Sequence, residues 1–353
     1  MTSSSAPPSS SSSGPCNVAY AGFDEYFFGA VPGAFGVGHF TVDMHPDVLV
    51  AFTDGTTQIL PNNGAGVFTG MTPQAVGQIA VNNLVLADMN RDGRTDVVLG
   101  AVTLDTVTVV LQSAPGVLTV RNVQTGARVQ GVAAVDMDGD QNTDLITSGL
   151  VTNQVHVFTL DNQGAVAAVA VEPVQAAGPI LPLDVDSNGF KDLAVGEDRA
   201  MGRVVLVNNA GITRTQTILD LGLPSVRQLQ VGDFSSDGRR RLAILSRAEP
   251  WLVLSTLSGA MTSVAVTFTP VAFAADDMDG NGQTDLVVLD NQSGVHLLRS
   301  GDDLDFTESL VATASGGAIS VLTRDLNGDG FPDILVMNQT DQSLSVFLRH
   351  CAP

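Results

Sequence analysis

Short runs rich in Val, Leu, Ile and Ala punctuate this chain, and polar stretches containing Gly or Asn separate them. The stretch from Leu84 is representative: LVLADM, an acidic loop, DVVLGA, then TVTVVL, a SAPG turn and VLTVRNV. Apolar runs this short, rich in β-branched residues and bounded by turn formers, predict strands rather than helices. The acidic loop recurs. It reads DMNRDGRTDVVLG from Asp88, DMDGDQNTDLITSG from Asp136, DVDSNGFKDLAVGE from Asp184, DFSSDGRRRLAILS from Asp233, DMDGNGQTDLVVLD from Asp277 and DLNGDGFPDILVMN from Asp325, at offsets of 48, 48, 49, 44 and 48 residues. Counting back 49 residues from Asp88 reaches His39, where HFTVDMHPDVLVAF keeps Asp43 and Asp47. Seven units with four strands each predict an all-β chain, a seven-bladed β-propeller of four-stranded antiparallel blades.

Such a ring has to close. Only 20 residues follow Asp333, which leaves room for the second and third strands of the last blade but not its fourth. Residues 16–34 precede the first blade, so the N-terminal segment is expected to complete the last one and close the ring. The chain's two cysteines, Cys16 and Cys351, fall in the two segments this closure brings together, and a disulfide between them is expected. A disulfide would place the protein in an oxidising compartment. Residues 1–15, with eight serines in the first thirteen, read as a Ser/Pro-rich flexible tether, and residues 16–353 as the propeller. The longest apolar stretch, residues 165–183, is interrupted by Glu172, Pro173, Gln175, Gly178, Pro179 and Pro182. It is no candidate for a bilayer-spanning helix, which needs about 20 apolar residues.

With 44% apolar residues the chain is not of the disordered class. Its 16 bases against 37 acids leave a formal charge of −21, and Lys191 is the only lysine, which argues against binding nucleic-acid phosphates. Much of the acidity lies in the loops. Each complete loop offers carboxylate or amide oxygens at positions 1, 3, 5 and 9, with glycine usually at position 6. Alternating oxygen donors on a tight loop, with a backbone carbonyl at position 7 and water, make a cage for calcium, which takes six to eight oxygens. The cage offers neither sulfur nor imidazole, against zinc or copper. Position 12 falls inside a strand, as Leu99, Thr147, Val195, Val288 or Val336, where an EF-hand would need glutamate.

These repeats resemble the FG-GAP/VCBS unit, found in the seven-bladed heads of integrin α-subunits and in many secreted bacterial proteins. The resemblance covers nearly all of residues 16–353. It implies structural calcium, about five ions, held by Asp88, Asn90, Asp92 and Asp96; Asp136, Asp138, Asp140 and Asp144; Asp184, Asp186, Asn188 and Asp192; Asp277, Asp279, Asn281 and Asp285; and Asp325, Asn327, Asp329 and Asp333. Five divalent ions would move the formal charge from −21 to −21 + 10 = −11. Gln141 replaces the turn glycine in the second set, so distortion is expected there. In the fifth unit Arg241 stands at position 9 behind Asp233, Ser235 and Asp237, and its guanidinium is expected to replace the ion. The first unit, with His39 and Thr41 at the leading positions, is a poor calcium loop.

Convergent catalytic groups are scarce: five histidines, two tyrosines and one lysine are spread over seven units. His156 and His296 alternate with apolar neighbours and read as structural, while His39 and His45 flank Asp43 and Asp47 as a weak metal or acid–base grouping. There is neither a G-x-S-x-G elbow nor a P-loop, and Gly64-x-Gly66 reads as a hairpin turn. The expectation is therefore noncatalytic. Up-and-down strands put the acidic loops on one face of the disk and the loops between second and third strands on the other, the face where the integrin resemblance implies a partner. There GEDRAMG, from Gly196, and SRAEPW, from Ser246, should be neighbours, gathering Glu197, Arg199, Met201, Arg247 and the only tryptophan, Trp251, residues of the kinds that anchor interfaces. The reading is a secreted or cell-surface-tethered, calcium-binding monomeric propeller for adhesion or scaffolding that takes a protein ligand. A carbohydrate-binding lectin and a diverged polysaccharide-cleaving propeller are the alternatives.

Overall fold

The computed structural model describes residues 17–20, 23–43, 45–77, 80–115, 117–149, 151–211, 213–247 and 251–352. Among them, seven four-stranded antiparallel sheets form the blades. Blade 2 shows the plan: Asn83–Ala87 is innermost, followed outwards by Asp96–Gly100, Thr106–Ala114 and Val117–Gln124. Each innermost strand packs against that of the next blade, and that of blade 7 packs against that of blade 1. The N-terminal segment supplies the outer strand of blade 7. There Asp24–Phe27 pairs antiparallel with Ser343–Phe347, while Asn17–Tyr20 pairs with Arg349–Ala352. The Cys351 backbone sits opposite Val18. Cys16 lies outside the described residues, as does the Ser/Pro-rich segment. No helix among the described residues is long and apolar enough to cross a membrane.

The burial pattern explains why the second strands show no polar–apolar alternation. A blade is packed on both faces by its neighbours, so a strand in its middle has no wet side. Asp47–Phe52, Asp144–Gly149, Asp192–Glu197 and Asp333–Asn338 are accordingly buried at every position. The apolar core is divided into seven clusters, one in each seam between blades. The seam that closes the ring joins Phe35, Val50 and Phe52 of blade 1 to Leu335, Met337 and Leu344 of blade 7.

At three of these seams an amide side chain reaches the preceding blade's acidic loop. Gln112 Nε2 of blade 2 donates to the Phe40 carbonyl of blade 1 at 2.6 Å, and Asn62 Nδ2 of blade 1 to the Leu326 carbonyl of blade 7 at 2.8 Å. Asn209 Nδ2 of blade 4 donates to the Met137 carbonyl of blade 3 at 2.7 Å. In each case the acceptor is the second residue of the preceding blade's acidic loop. Blade 7 places Arg349 at the corresponding position. Its guanidinium is fully buried, has no hydrogen-bond partner among the described residues, and lies 3.6 Å from the ring centroid of Phe331, a cation–π contact.

Asn209→Ala tests the struts. It removes two donors and leaves the carbonyls of Met137 and Lys191 without that partner. A cost of about 1–3 kcal/mol is expected, read as a lower urea midpoint at unchanged slope.

Candidate functional site

The five complete loops share one hydrogen-bond scheme. The position-1 carboxylate accepts the position-6 N–H: Asp88 from Gly93 at 2.8 Å, Asp136 from Gln141 at 2.8 Å, Asp184 from Gly189 at 3.2 Å, Asp277 from Gly282 at 2.8 Å and Asp325 from Gly330 at 2.9 Å. The position-3 oxygen accepts the position-5 N–H, as in Asn90 from Asp92 and Asp138 from Asp140. The position-5 oxygen accepts the position-7 N–H, as in Asn188 from Phe190 and Asp329 from Phe331. These local turns wind the loop tightly, and they need left-handed backbone at position 6. Gly93, Gly189, Gly282 and Gly330 supply it with φ of 81°, 89°, 85° and 86°. Gln141 adopts the same conformation, φ 71°, and keeps its bond to Asp136, so the expected distortion of that loop is instead backbone strain on an unchanged path.

The ninth residue does more than offer an oxygen. Asp96 is fully buried, with Oδ2 accepting the Met89 N–H at 2.8 Å and Oδ1 the Gln112 N–H at 2.7 Å. Asp144, Asp192, Asp285 and Asp333 repeat this grip on the loop and on the third strand or its end. A carboxylate has about four acceptor sites, so two amides leave room for a cation. In three loops oxygens of positions 1, 3 and 9 lie within 4.8 Å of one another: Asp136, Asp138 and Asp144; Asp184, Asp186 and Asp192; Asp277, Asp279 and Asp285. The Asp88 and Asp325 loops carry Asn90 and Asn327 at position 3. Asp184 Oδ1 is buried without a hydrogen-bond partner among the described residues. An orphaned anionic oxygen and an all-oxygen donor set fit a hard divalent cation.

The two divergent loops differ in kind. In blade 5 the Arg241 guanidinium lies inside the loop, bonded to Asp237 at 2.9 and 2.5 Å, to Ser235 Oγ at 3.2 Å and to the Arg239 carbonyl at 3.1 Å. These bonds hold the Asp237 carboxyl far below the usual carboxylate range. In blade 1, Asp47 keeps the ninth-position grip, accepting from Phe40 and Asn62 at 2.9 Å each. The Thr41 hydroxyl bridges Asp43 and Asp47 at 2.8 and 3.0 Å, and lowers the Asp43 carboxyl. His39 Nδ1 contacts the His45 carbonyl at 3.2 Å rather than either aspartate. His156 and His296 are held structurally. His156 packs edge-on against Phe158, and His296 stacks on Phe268 and bonds Asp290 at 2.9 Å.

On the opposite face the two loops of interest do meet. Ser225 ties them, its N–H donating to the Arg199 carbonyl at 2.8 Å and its carbonyl accepting the Arg247 N–H at 2.7 Å. Met201 and Trp251 are 70% and 48% exposed. Glu197 is not part of the accessible surface. It is 1% exposed and engaged by Arg199 at 2.7 Å and Arg203 at 3.0 Å, because those two arginines fold back over it. Arg203, and the Asp198 carboxylate 3.7 Å from Arg247, belong to this cluster and were not among the expected residues. A GEDRAMGR stretch with acids and bases at close spacing was their only signal.

A family model described as an FG-GAP-like repeat matches residues 40–99, 88–147 and 277–336. Among curated proteins nothing matches the chain. Among solved structures the chain is similar to BBS1N in a complex with ARL6DN, at TM-score 0.67 and 10% identity over 95% of this chain and 97% of that one. It is also similar to virginiamycin B lyase from Staphylococcus aureus, at TM-score 0.65 and 13% identity over 92% and 98%, and to a streptogramin B lyase, at 0.64 and 12% over 93% and 97%. At these identities the likeness is one of fold.

Relief of the strain at position 6 is testable, since left-handed backbone costs an L-residue about 1–2 kcal/mol and glycine returns part of that as entropy. Gln141→Gly should stabilise by about 0.5–1 kcal/mol, read as a raised melting midpoint. Burial pushes the carboxyls of Asp96, Asp144, Asp285 and Asp333 from 3.8 up to about 6. Groups that bind protons more tightly when folded stabilise fully below their unfolded pKa, and that contribution disappears as pH rises through the folded one. Metal-free protein should therefore melt higher at pH 5 than at pH 7 in scanning calorimetry. A midpoint that climbs over that interval would contradict it.

Proposed function

Because the chain is a propeller of FG-GAP-like repeats, we propose that it is a noncatalytic, calcium-stabilised module, secreted or held at a cell surface, that binds a protein partner through the face opposite its acidic loops. Exposed Met201 and Trp251 on loops locked together by Ser225 carry this reading. Aromatic and Arg side chains on a rigid frame are effective interface anchors, and Arg199 and Arg247 border the pair. The solved complex of BBS1N with ARL6DN is a propeller of similar fold with a protein partner. The lyase neighbours, at 12–13% identity, share that fold, while His156 and His296 of this chain are held by structural contacts. Calcium follows from the oxygen cage, the orphaned Asp184 Oδ1 and the buried ninth carboxylate, which together couple ion binding to the folded state.

Two measurements test the two halves. Any ligand that binds only the native state adds about 2.7 kcal/mol when present at a hundred times its dissociation constant. Millimolar calcium should thus raise the melting midpoint and a chelator should reverse the rise; an unchanged midpoint would rule out structural calcium. Affinity capture with the wild-type chain as bait should retain a surface or secreted protein that the Met201→Ala/Trp251→Ala chain loses at unaltered melting midpoint. Equal capture by both baits would reject the patch.

A further inference from the structure

Charge is unevenly arranged on the acidic-loop face. A groove of about 950 Å³ runs between the loops of blades 4 and 5. Lys191, Arg239 and Arg240 line it, all exposed and none in an ion pair among the described residues. The chain has only 16 bases against 37 acids, so three unpaired ones at one place are a strong departure from the surrounding field. The divergent fifth repeat is the cause. Arg241 sits within its own loop and neutralises Asp237, while Arg239 and Arg240 of that loop are exposed.

Between the bases the groove offers hydroxyls, Ser187, Thr256 and Ser258, together with one carboxylate, Asp184 of the blade 4 loop, against three bases, and no aromatic ring lines it. Fixed positive charge calls for an anion, and guanidinium groups bind carboxylate and sulfate oxygens through paired N–H donors. Hydroxyl groups suit a ligand that is itself rich in hydroxyls. The absence of an aromatic platform removes the stacking on which single-stranded nucleic-acid recognition depends, and the groove's few apolar residues offer little to a hydrophobic peptide. A groove of this size matches ordinary small-ligand sites of about 300–1,000 Å³. The geometry points to an acidic oligosaccharide, carrying carboxylate or sulfate groups, as the ligand of the blade 4–5 groove, a second binding site on the face opposite the protein-binding patch.

Titration calorimetry at low salt with a galacturonate hexasaccharide, a chondroitin sulfate hexasaccharide and neutral maltohexaose tests this. At least one acidic chain should bind and the neutral one should not; which acidic chain binds identifies the anionic group. Lys191→Ala/Arg239→Ala/Arg240→Ala should weaken binding at least tenfold with the melting midpoint unmoved, whereas Arg128→Ala, a charge removed from the opposite face, should leave it unchanged. Failure of both acidic chains to bind, equal binding of maltohexaose, or full binding by the triple variant would each overturn the proposal.

Discussion

A buried carboxylate at the end of six of the seven acidic loops holds this molecule together. In six blades the same aspartate, at 0% exposure, accepts one N–H from its own loop and another from the third strand or its end. Charge so deeply buried is tolerable only where it is hydrogen-bonded and paired or coordinated. Loop winding, strand spacing and the position of the cage oxygens therefore depend on one side chain, and a cation drawn to the loop would bear on the core through it. Blade 5 shows what replaces this arrangement. There a guanidinium closes the loop from within, so one repeat carries its own counter-charge and its outer surface changes sign.

The seven seams are alike in their apolar packing and unlike in their polar ties. Amide struts cross from blade 1 to 7, 2 to 1 and 4 to 3, while blade 3 has Leu160 where a strut would start. Between blades 5 and 6 the tie is made on the inner strands instead, where Gln228 exchanges hydrogen bonds with the Phe273 backbone and Gln230 accepts the Ala275 N–H. Where the chain ends meet, the strut position holds the buried Arg349 over Phe331, with an aromatic face in place of an acceptor.

The blade count was legible because the acidic phrase keeps its period and each strand is short and apolar. The oxygen donors of the loops were equally legible, since their spacing alone places them on one side of a tight turn. What the ninth aspartate grips was not, because its second partner lies 15 to 17 residues on, at residues as different as Asn62, Gln112, Leu160 and Asn209. Glu197 was misjudged for a related reason. Residue type suggested a surface acid, whereas Arg199 and Arg203 reach back along the same stretch and bury it. The basic groove arises from a departure in the repeat, and a periodic pattern says where such a departure falls without saying which side chains it turns outward.

The pairing of Asn17–Tyr20 with Arg349–Ala352 has a mechanical consequence. The strands are antiparallel, with Asn17 opposite Ala352, so both chain ends leave from the same end of a four-residue ladder. Tension between them loads the ladder as a zipper, parting one residue pair at a time from Asn17–Ala352 inward, rather than shearing all pairs together. The next strand to take the load, Asp24–Phe27, again meets it at one end, at the pair Asp24–Val346. A pull along the chain would thus peel blade 7 open first while blades 1 to 6 keep their own strands, making the closing blade the mechanical fuse of the ring.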